Sequence, residues 1–142
     1  MRERAGEFEK RGVALACVVQ GTASEATRFC GRHGVESLCI PDPDRESYRA
    51  LGLGRASWRE ILFASADAKR RRAETKRAGC SNNLEGARQK HSDILQLPGA
   101  ALVAADGTIL WLHRSRHTGD LPSADQLLEI VGKYAASGSG RP

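Results

Sequence analysis

The sequence predicts an α/β domain, and three local patterns carry that prediction. The nearly all-apolar run VALACVV, at residues 13–19, is typical of a strand covered on both faces. Thr22 and Glu25 follow it with the spacing of a capping box, which starts a helix. Later in the chain Asp106-Gly107 separates two apolar runs, a strong hairpin signal. A strand followed at once by a helix, together with a separate hairpin, is typical of the α/β class.

Length and composition predict one domain that spans residues 1–136. The chain has 142 residues, of which 40% are hydrophobic, so it can build a core of its own. Residues 1–10 are charged throughout and do not resemble a signal peptide, and no apolar run approaches the roughly 18 residues of a membrane span. We therefore expect a cytoplasmic protein with no membrane contact, and no pattern calls for a cofactor.

The first half of the chain predicts three helices and two strands. Residues 4–11 have the composition of a helix, and the strand at residues 13–19 follows. A second helix runs from Thr22 to the stop signal at Gly34. The remaining elements of this half are a short strand at residues 37–40 and a small helix at residues 45–51.

The second half predicts a basic segment, a hairpin and a closing helix. Residues 57–78 are partly helical in pattern, and a polar loop follows them. The hairpin strands lie at residues 100–104 and 108–112. Ser123 and Gln126 form a second capping box before an amphipathic helix, and residues 137–142 are expected to be a disordered tail.

A predicted insertion at about residues 64–91 carries a net positive charge equal to that of the whole chain. Residues 64–90 hold eight Lys and Arg against three Asp and Glu, whereas the whole chain has a formal charge of +5. Clustered cations neutralise phosphates, so weak, non-specific polyanion binding is one interpretation. The segment has no interleaved aromatic residues for base stacking, and a solvated basic helix is the alternative.

Several separated motifs, in order, resemble the peroxiredoxin-like branch of the AhpC/TSA family. They are Gly12-Val13 leading into VVQGT, then FCGRHG, PDPDRESYRALGLG and DILQLPGAALVAADGTILWLHRSRHTGDLP. The resemblance spans roughly residues 8–131 and is interrupted at the basic segment. It implies a thioredoxin-like α/β/α sandwich with a mixed sheet.

The resemblance also implies that the front of this fold is missing. In the family, a strand and then the peroxidatic cysteine precede the first helix, and this chain begins too late to contain either, so we expect an N-terminally truncated domain. The missing strand would lie between the strands at residues 13–19 and 100–104. We expect the gap to be closed by direct pairing of those two strands or by a second copy in a homodimer, because exposed edges invite pairing.

A rim of polar residues at the carboxyl end of the sheet is the site that the resemblance implies. The rim consists of Gln20, Thr22, Pro98, Arg114, Arg116 and His117, with Pro98 expected to be cis. An arginine near a cysteine stabilises the thiolate, and histidine titrates near neutral pH. A solvated loop is the alternative for the arginines and histidines. No metal site is expected, because His113 and His117 have no companion ligand at suitable spacing.

The four cysteines have no Cys-x-x-Cys spacing, and in a cytoplasmic protein we expect them to be free thiols. Cys17 and Cys30 are predicted to be inert packing residues, and Cys39 is expected to be buried. Cys80 lies in a polar loop near two cations, which would lower its pKa, so it is the candidate catalytic thiol. An ordinary exposed cysteine is the alternative.

Two functions from different classes follow. The resemblance implies a thiol-dependent antioxidant protein that uses a thiol reductant, with weak or absent peroxidase activity because the expected nucleophile is missing. The alternative is a non-catalytic binding or assembly module that uses the open sheet edge and the basic segment.

Overall fold

The computed structural model describes residues 4–33, 38–58, 93–117 and 120–138. In chain order the elements are α1 (Ala5–Glu9), β1 (Ala16–Val19), α2 (Ala23–His33), β2 (Leu38–Pro41), α3 (Glu46–Ala50), β3 (Gly99–Val103), β4 (Ile109–Arg114) and α4 (Ala124–Gly138). This mixture of helices and strands confirms the α/β prediction. The basic insertion and Cys80 lie outside the described residues.

The strands form two separate two-stranded sheets. β1 and β2 are parallel, with Ala16 opposite Leu38. β3 and β4 are antiparallel, with Gly99 opposite Arg114 and an irregularity after Leu102. Within the described ranges β1 pairs only with β2 and β3 only with β4. Direct pairing of β1 with β3, one of the two expected ways to close the sheet, is therefore not found there.

β1 begins three residues later than the apolar run predicted. The backbone N–H of Val13 donates to the carbonyl of Phe8 over 3.0 Å, so the chain is still leaving α1 at that point. Val13 and Leu15 pack against the core instead of joining the strand ladder. The apolar run therefore contains a core-packing connection as well as a strand.

The main core lies between the two ends of the chain. Phe8 of α1 is 2% exposed, and Leu128 and Val131 of α4 are buried against it. Full burial of such side chains stabilises a fold by about 1.5–3 kcal/mol each. The guanidinium of Arg11 also donates to the carbonyl of Leu128 over 2.6 Å. α1 and α4 are thus fixed to each other by packing and by a hydrogen bond.

The two predicted capping boxes are confirmed. The N–H of Thr22 donates to the Glu25 carboxylate over 2.7 Å at the start of α2. The N–H of Ser123 donates to Gln126 Oε1 over 2.8 Å, and the N–H of Gln126 donates to Ser123 Oγ, at the start of α4. No helix in the described part of the chain combines the length and the apolar character that crossing a membrane requires.

The peptide bond before Pro98 is trans, so the expectation of a cis proline is wrong; no described residue follows a cis bond. The N–H of Leu97 donates to the carbonyl of Gly54 over 3.0 Å, and the carbonyl of Pro98 accepts from the N–H of Ser115 over 3.2 Å. These bonds fix the backbone of Leu97 and Pro98 where the chain enters β3. Both hydrogen bonds form with the trans peptide bond, which is intrinsically favoured.

Candidate functional site

A disulfide between Cys30 and Cys39 joins α2 to β2. The two Cα atoms are 6.7 Å apart, within the range that disulfides span. Cys30 lies on the buried face of α2, one turn after Ala26, and is 6% exposed. Cys39 is half-buried in β2. The bond therefore lies at the interface where the helix packs on the parallel sheet.

This disulfide corrects the expectation that Cys30 and Cys39 are free thiols. Cys30 is buried as predicted, but packing α2 on β2 also brings its sulfur to Cys39. The available signal was the helix–turn–strand order, because a helix with its apolar face on the next strand places inward-facing residues of both elements together. The absence of Cys-x-x-Cys spacing carries no information about such tertiary pairs.

Cys17 is a free thiol beside this disulfide. It lies in β1, and its Cα partner across the parallel ladder is Cys39. Its side chain is half-buried, and burial raises the pKa of the Cys17 thiol. Three sulfur-bearing residues thus lie on three adjoining elements, with two of them already bonded.

Gln20, a predicted rim residue, is joined to a cluster around Asp93. Gln20 Oε1 accepts a hydrogen bond from the N–H of Asp93 over 2.9 Å. The Asp93 carboxylate pairs with Arg55 at 2.9 Å and with Arg45 at 3.2 Å. Burial raises the pKa of Asp93, but the N–H of Leu95 and the two guanidinium groups outweigh it and lower the pKa overall. The cluster connects the end of β1 to the segment that leads into β3.

The predicted rim arginines, Arg114 and Arg116, are both bound to other residues of this chain. Arg114 Nε donates to the carbonyl of Leu51 over 2.6 Å. The N–H of Arg116 donates to the Asp120 carboxylate over 2.9 Å, and the Arg116 guanidinium lies 3.5 Å from the same oxygen. The hydrogen bond from Arg116 is the largest influence on Asp120 and lowers its pKa. Arg114 therefore links β4 to the residue that follows α3, and Arg116 is paired with Asp120.

The other predicted rim residues have structural contacts of their own. Thr22 is the cap of α2, and Pro98 accepts the hydrogen bond from Ser115. His117 is exposed, and its carbonyl accepts from the N–H of Asp120 over 3.0 Å. The Ser115–Pro98 bond connects Pro98 to the part of the rim at residues 114–117, whereas Gln20 is bonded to Asp93. In the described ranges no three His, Cys, Asp or Glu side chains form a group that could hold a metal ion.

The described chemistry is therefore that of a thiol and a disulfide. A disulfide at a helix–sheet interface can accept two electrons from a thiol reductant and be formed again by an oxidant. Cys80, the thiol predicted to be catalytic, lies outside the described residues and stays a prediction.

Comparison with known proteins gives one match. The family model described as AhpC/TSA antioxidant enzyme matches residues 1–117 of this chain. The match includes all three cysteines of the described site and ends before α4. No curated protein and no solved structure matches.

Proposed function

Because this chain belongs to the AhpC/TSA antioxidant enzyme family, with its thioredoxin-like α/β fold, we propose that it is a peroxiredoxin-like thiol redox protein in which Cys30 and Cys39 form the working couple. The observation that carries the proposal is the disulfide between α2 and β2. In the reductive step, a thiolate of an external dithiol attacks one sulfur of the pair and forms a mixed disulfide. The second thiolate of the reductant then attacks the reductant sulfur of that mixed disulfide and releases the bound cysteine of the chain. Cys30 and Cys39 end as thiols, and the reductant ends as a disulfide.

The proposal includes weak direct peroxidase activity. A peroxide is reduced by a thiolate, so reactivity depends on a low thiol pKa and on access. Cys30 is 6% exposed, and burial raises the pKa of Cys17. Neither of these side chains has the environment of a fast peroxidatic cysteine. Cys80 and the half-buried Cys39 remain, and the Cys80→Ser variant distinguishes them.

A cytoplasmic location is part of the proposal and makes the disulfide informative. In the cytoplasm of most organisms, reductants keep thiols reduced, and the disulfides that do form are usually transient and catalytic or redox-sensing. A pair that forms readily there has a redox role. In an oxidising compartment the same bond would act as a structural link.

A redox titration of the purified chain separates these cases. The protein is equilibrated in thiol buffers of graded potential, and the Cys30–Cys39 bond is quantified by peptide mapping. We expect a reversible transition above about −300 mV, the approximate limit below which structural disulfides resist cellular thiols. A bond that persists below that limit would contradict the proposal and make the disulfide structural.

Stopped-flow mixing of the reduced chain with hydrogen peroxide tests the peroxidase part. We expect oxidation no faster than that of ordinary free thiols, and the same rate in Cys80→Ser. A rapid reaction that the Cys80→Ser variant loses would overturn this part of the proposal and identify Cys80 as a peroxidatic centre.

A non-catalytic assembly module is the second candidate, and one observation favours it. Val18 and Ile40 are partners across the β1–β2 ladder and are 37% and 40% exposed, so the face opposite Cys17 and Cys39 presents apolar side chains. Exposed apolar surface of this kind is common at interaction sites. If the redox titration shows no reversible transition of the Cys30–Cys39 bond, self-association of the chain would support this candidate.

A further inference from the structure

The position of Cys17 across the ladder from Cys39 carries an inference about how the couple works. Resting on the redox function proposed above, we propose that Cys17 is the exchange thiol of the site: it attacks Cys39 and moves the disulfide from Cys30–Cys39 to Cys17–Cys39.

The strand register provides the proximity. Cys17 and Cys39 are Cα partners in a parallel pair, and neighbouring strands lie about 4.7–4.9 Å apart. Disulfides join Cα atoms that are usually about 4.4–6.8 Å apart. The spacing between the strands thus falls within the range that a disulfide can bridge.

The sheet face provides the direction. Side chains alternate between the two faces along a strand, and partners in register project from the same face. The bond to Cys30 shows that Cys39 faces α2. Cys17 must then face α2 as well, which agrees with its half-buried side chain between the exposed residues Ala16 and Val18.

The exchange balances without any further reactant. The Cys17 thiolate forms a bond to Cys39 Sγ, the bond from Cys39 to Cys30 breaks, and Cys30 leaves as a thiolate. Cys30 takes up a proton equal to the one that Cys17 released, and nothing is oxidised or reduced overall. The product differs in one structural respect, because α2 is no longer covalently linked to β2.

The environment of Cys17 slows the exchange at neutral pH. Burial raises the pKa of Cys17, so little thiolate is present at neutral pH, and only the thiolate attacks a disulfide. The aromatic neighbour Tyr48, whose hydroxyl donates to the carbonyl of Val18 over 3.1 Å, lies near the same stretch of β1. Exchange is therefore slow unless the thiol is activated.

The chain offers a direct readout, because trypsin separates all four cysteines. Cleavage after Arg and Lys places Cys17 in peptide 12–28, Cys30 in 29–32, Cys39 in 33–45 and Cys80 in 78–88. The full chain carrying Cys80→Ser is incubated in a glutathione redox buffer, quenched in acid, alkylated and digested. We expect two cross-links, 29–32 with 33–45 and, as a minor form, 12–28 with 33–45, the latter accompanied by alkylated peptide 29–32.

A matched set of variants tests the geometry. Cys30→Ser removes the resting partner, and the cross-link of 12–28 with 33–45 should then become the main oxidised form. The control carries Cys30→Ser together with Cys17→Ser and Val18→Cys. These two further changes move the thiol one residue along β1 and therefore to the opposite face. We expect at least about tenfold less cross-link in the control, because reactivity in thiol–disulfide exchange depends on access.

The outcomes separate this inference from the function on which it rests. If the Cys30–Cys39 bond titrates normally but neither the parent nor Cys30→Ser yields the 12–28 cross-link, the exchange role of Cys17 is wrong and the redox couple stands. Equal cross-linking by the register-shifted control would also overturn it. If the cross-link forms while the couple fails to titrate, the exchange geometry stands and the redox function fails. The parent chain itself supplies a test should Cys30→Ser not fold.

Discussion

Asp42 is a buried carboxylate that organises the start of α3. It is 8% exposed, and its oxygens accept from the N–H of Glu46 over 2.8 Å, from the N–H of Ser47 over 3.0 Å and from the Ser47 hydroxyl. Burial raises the pKa of Asp42, but these hydrogen bonds outweigh it and lower the pKa overall. The ionised form is therefore stabilised by folding.

Replacing this carboxylate should destabilise the chain in a pH-dependent way. We expect Asp42→Ala to lower the free energy of unfolding by about 0.5–2 kcal/mol at pH 7, the usual range for a lost helix cap. Since the folded pKa lies below the unfolded value, about 3.9, the contribution is complete above that pH and is lost as pH falls through the folded pKa. The difference between variant and parent should therefore shrink in acid.

Urea denaturation at pH 7 and pH 3 measures this effect. Asp44→Ala is the matched control, because Asp44 is exposed and lies two residues away in the same turn. It should change stability by less than about 0.5 kcal/mol. Equal losses in the two variants would show that Asp42 is not the residue that anchors α3.

Residues in the rim show which contacts a sequence can reveal. The Thr22–Glu25 contact was predictable because both residues belong to one turn. The contact from Arg114 to the carbonyl of Leu51 joins positions 63 residues apart, and no local pattern encodes it. The sequence therefore indicated that residues 114–117 are rich in cationic side chains, but not that Arg114 donates a hydrogen bond to a backbone carbonyl.

At the scale of elements, the positions of helices and strands were largely predictable because each is encoded by local periodicity and caps. All eight described elements overlap a predicted one. The late start of β1 was not predictable, since an apolar run looks the same whether it joins a sheet or packs against Phe8. The disulfide was missed for the related reason that it depends on how α2 packs on β2.

The link between α2 and β2 should contribute measurable stability. Its two cysteines are nine residues apart in the sequence, and closing a loop of this size stabilises a protein by roughly 2–3 kcal/mol through loss of unfolded-state entropy. We expect the double variant Cys30→Ala, Cys39→Ala to lose about this much free energy of unfolding relative to the oxidised parent.

Dithiothreitol is the internal control for that measurement. It should destabilise the parent by a similar amount and leave the double variant unchanged. A parent that is insensitive to dithiothreitol while its disulfide is shown to be reduced would mean that α2 is held on β2 by packing alone.

At the scale of the whole molecule, the two small sheets raise the question of what completes them. An isolated two-stranded sheet is marginally stable in water, and an unpaired strand edge is a template for another chain. Within the described part of the chain, β1 and β3 each have one partner strand. The homodimer expected from the sequence, in which a second copy pairs with an edge of β1 or β3, stays a proposal.

Edge charge gives the sharpest test of that dimer. Ala101 is an exposed residue of β3, and a lysine on an edge strand disfavours pairing with another chain. Sedimentation equilibrium should show a dimer for the parent, a weaker dimer for Ala101→Lys and no change for Ala105→Lys, which adds the same charge at an exposed position of the hairpin turn.

Hydrogen exchange at β1 and β3 should slow as the protein concentration rises, because pairing protects the edge amides. A parent that stays monomeric across the concentration range, with exchange independent of concentration, would contradict the dimer.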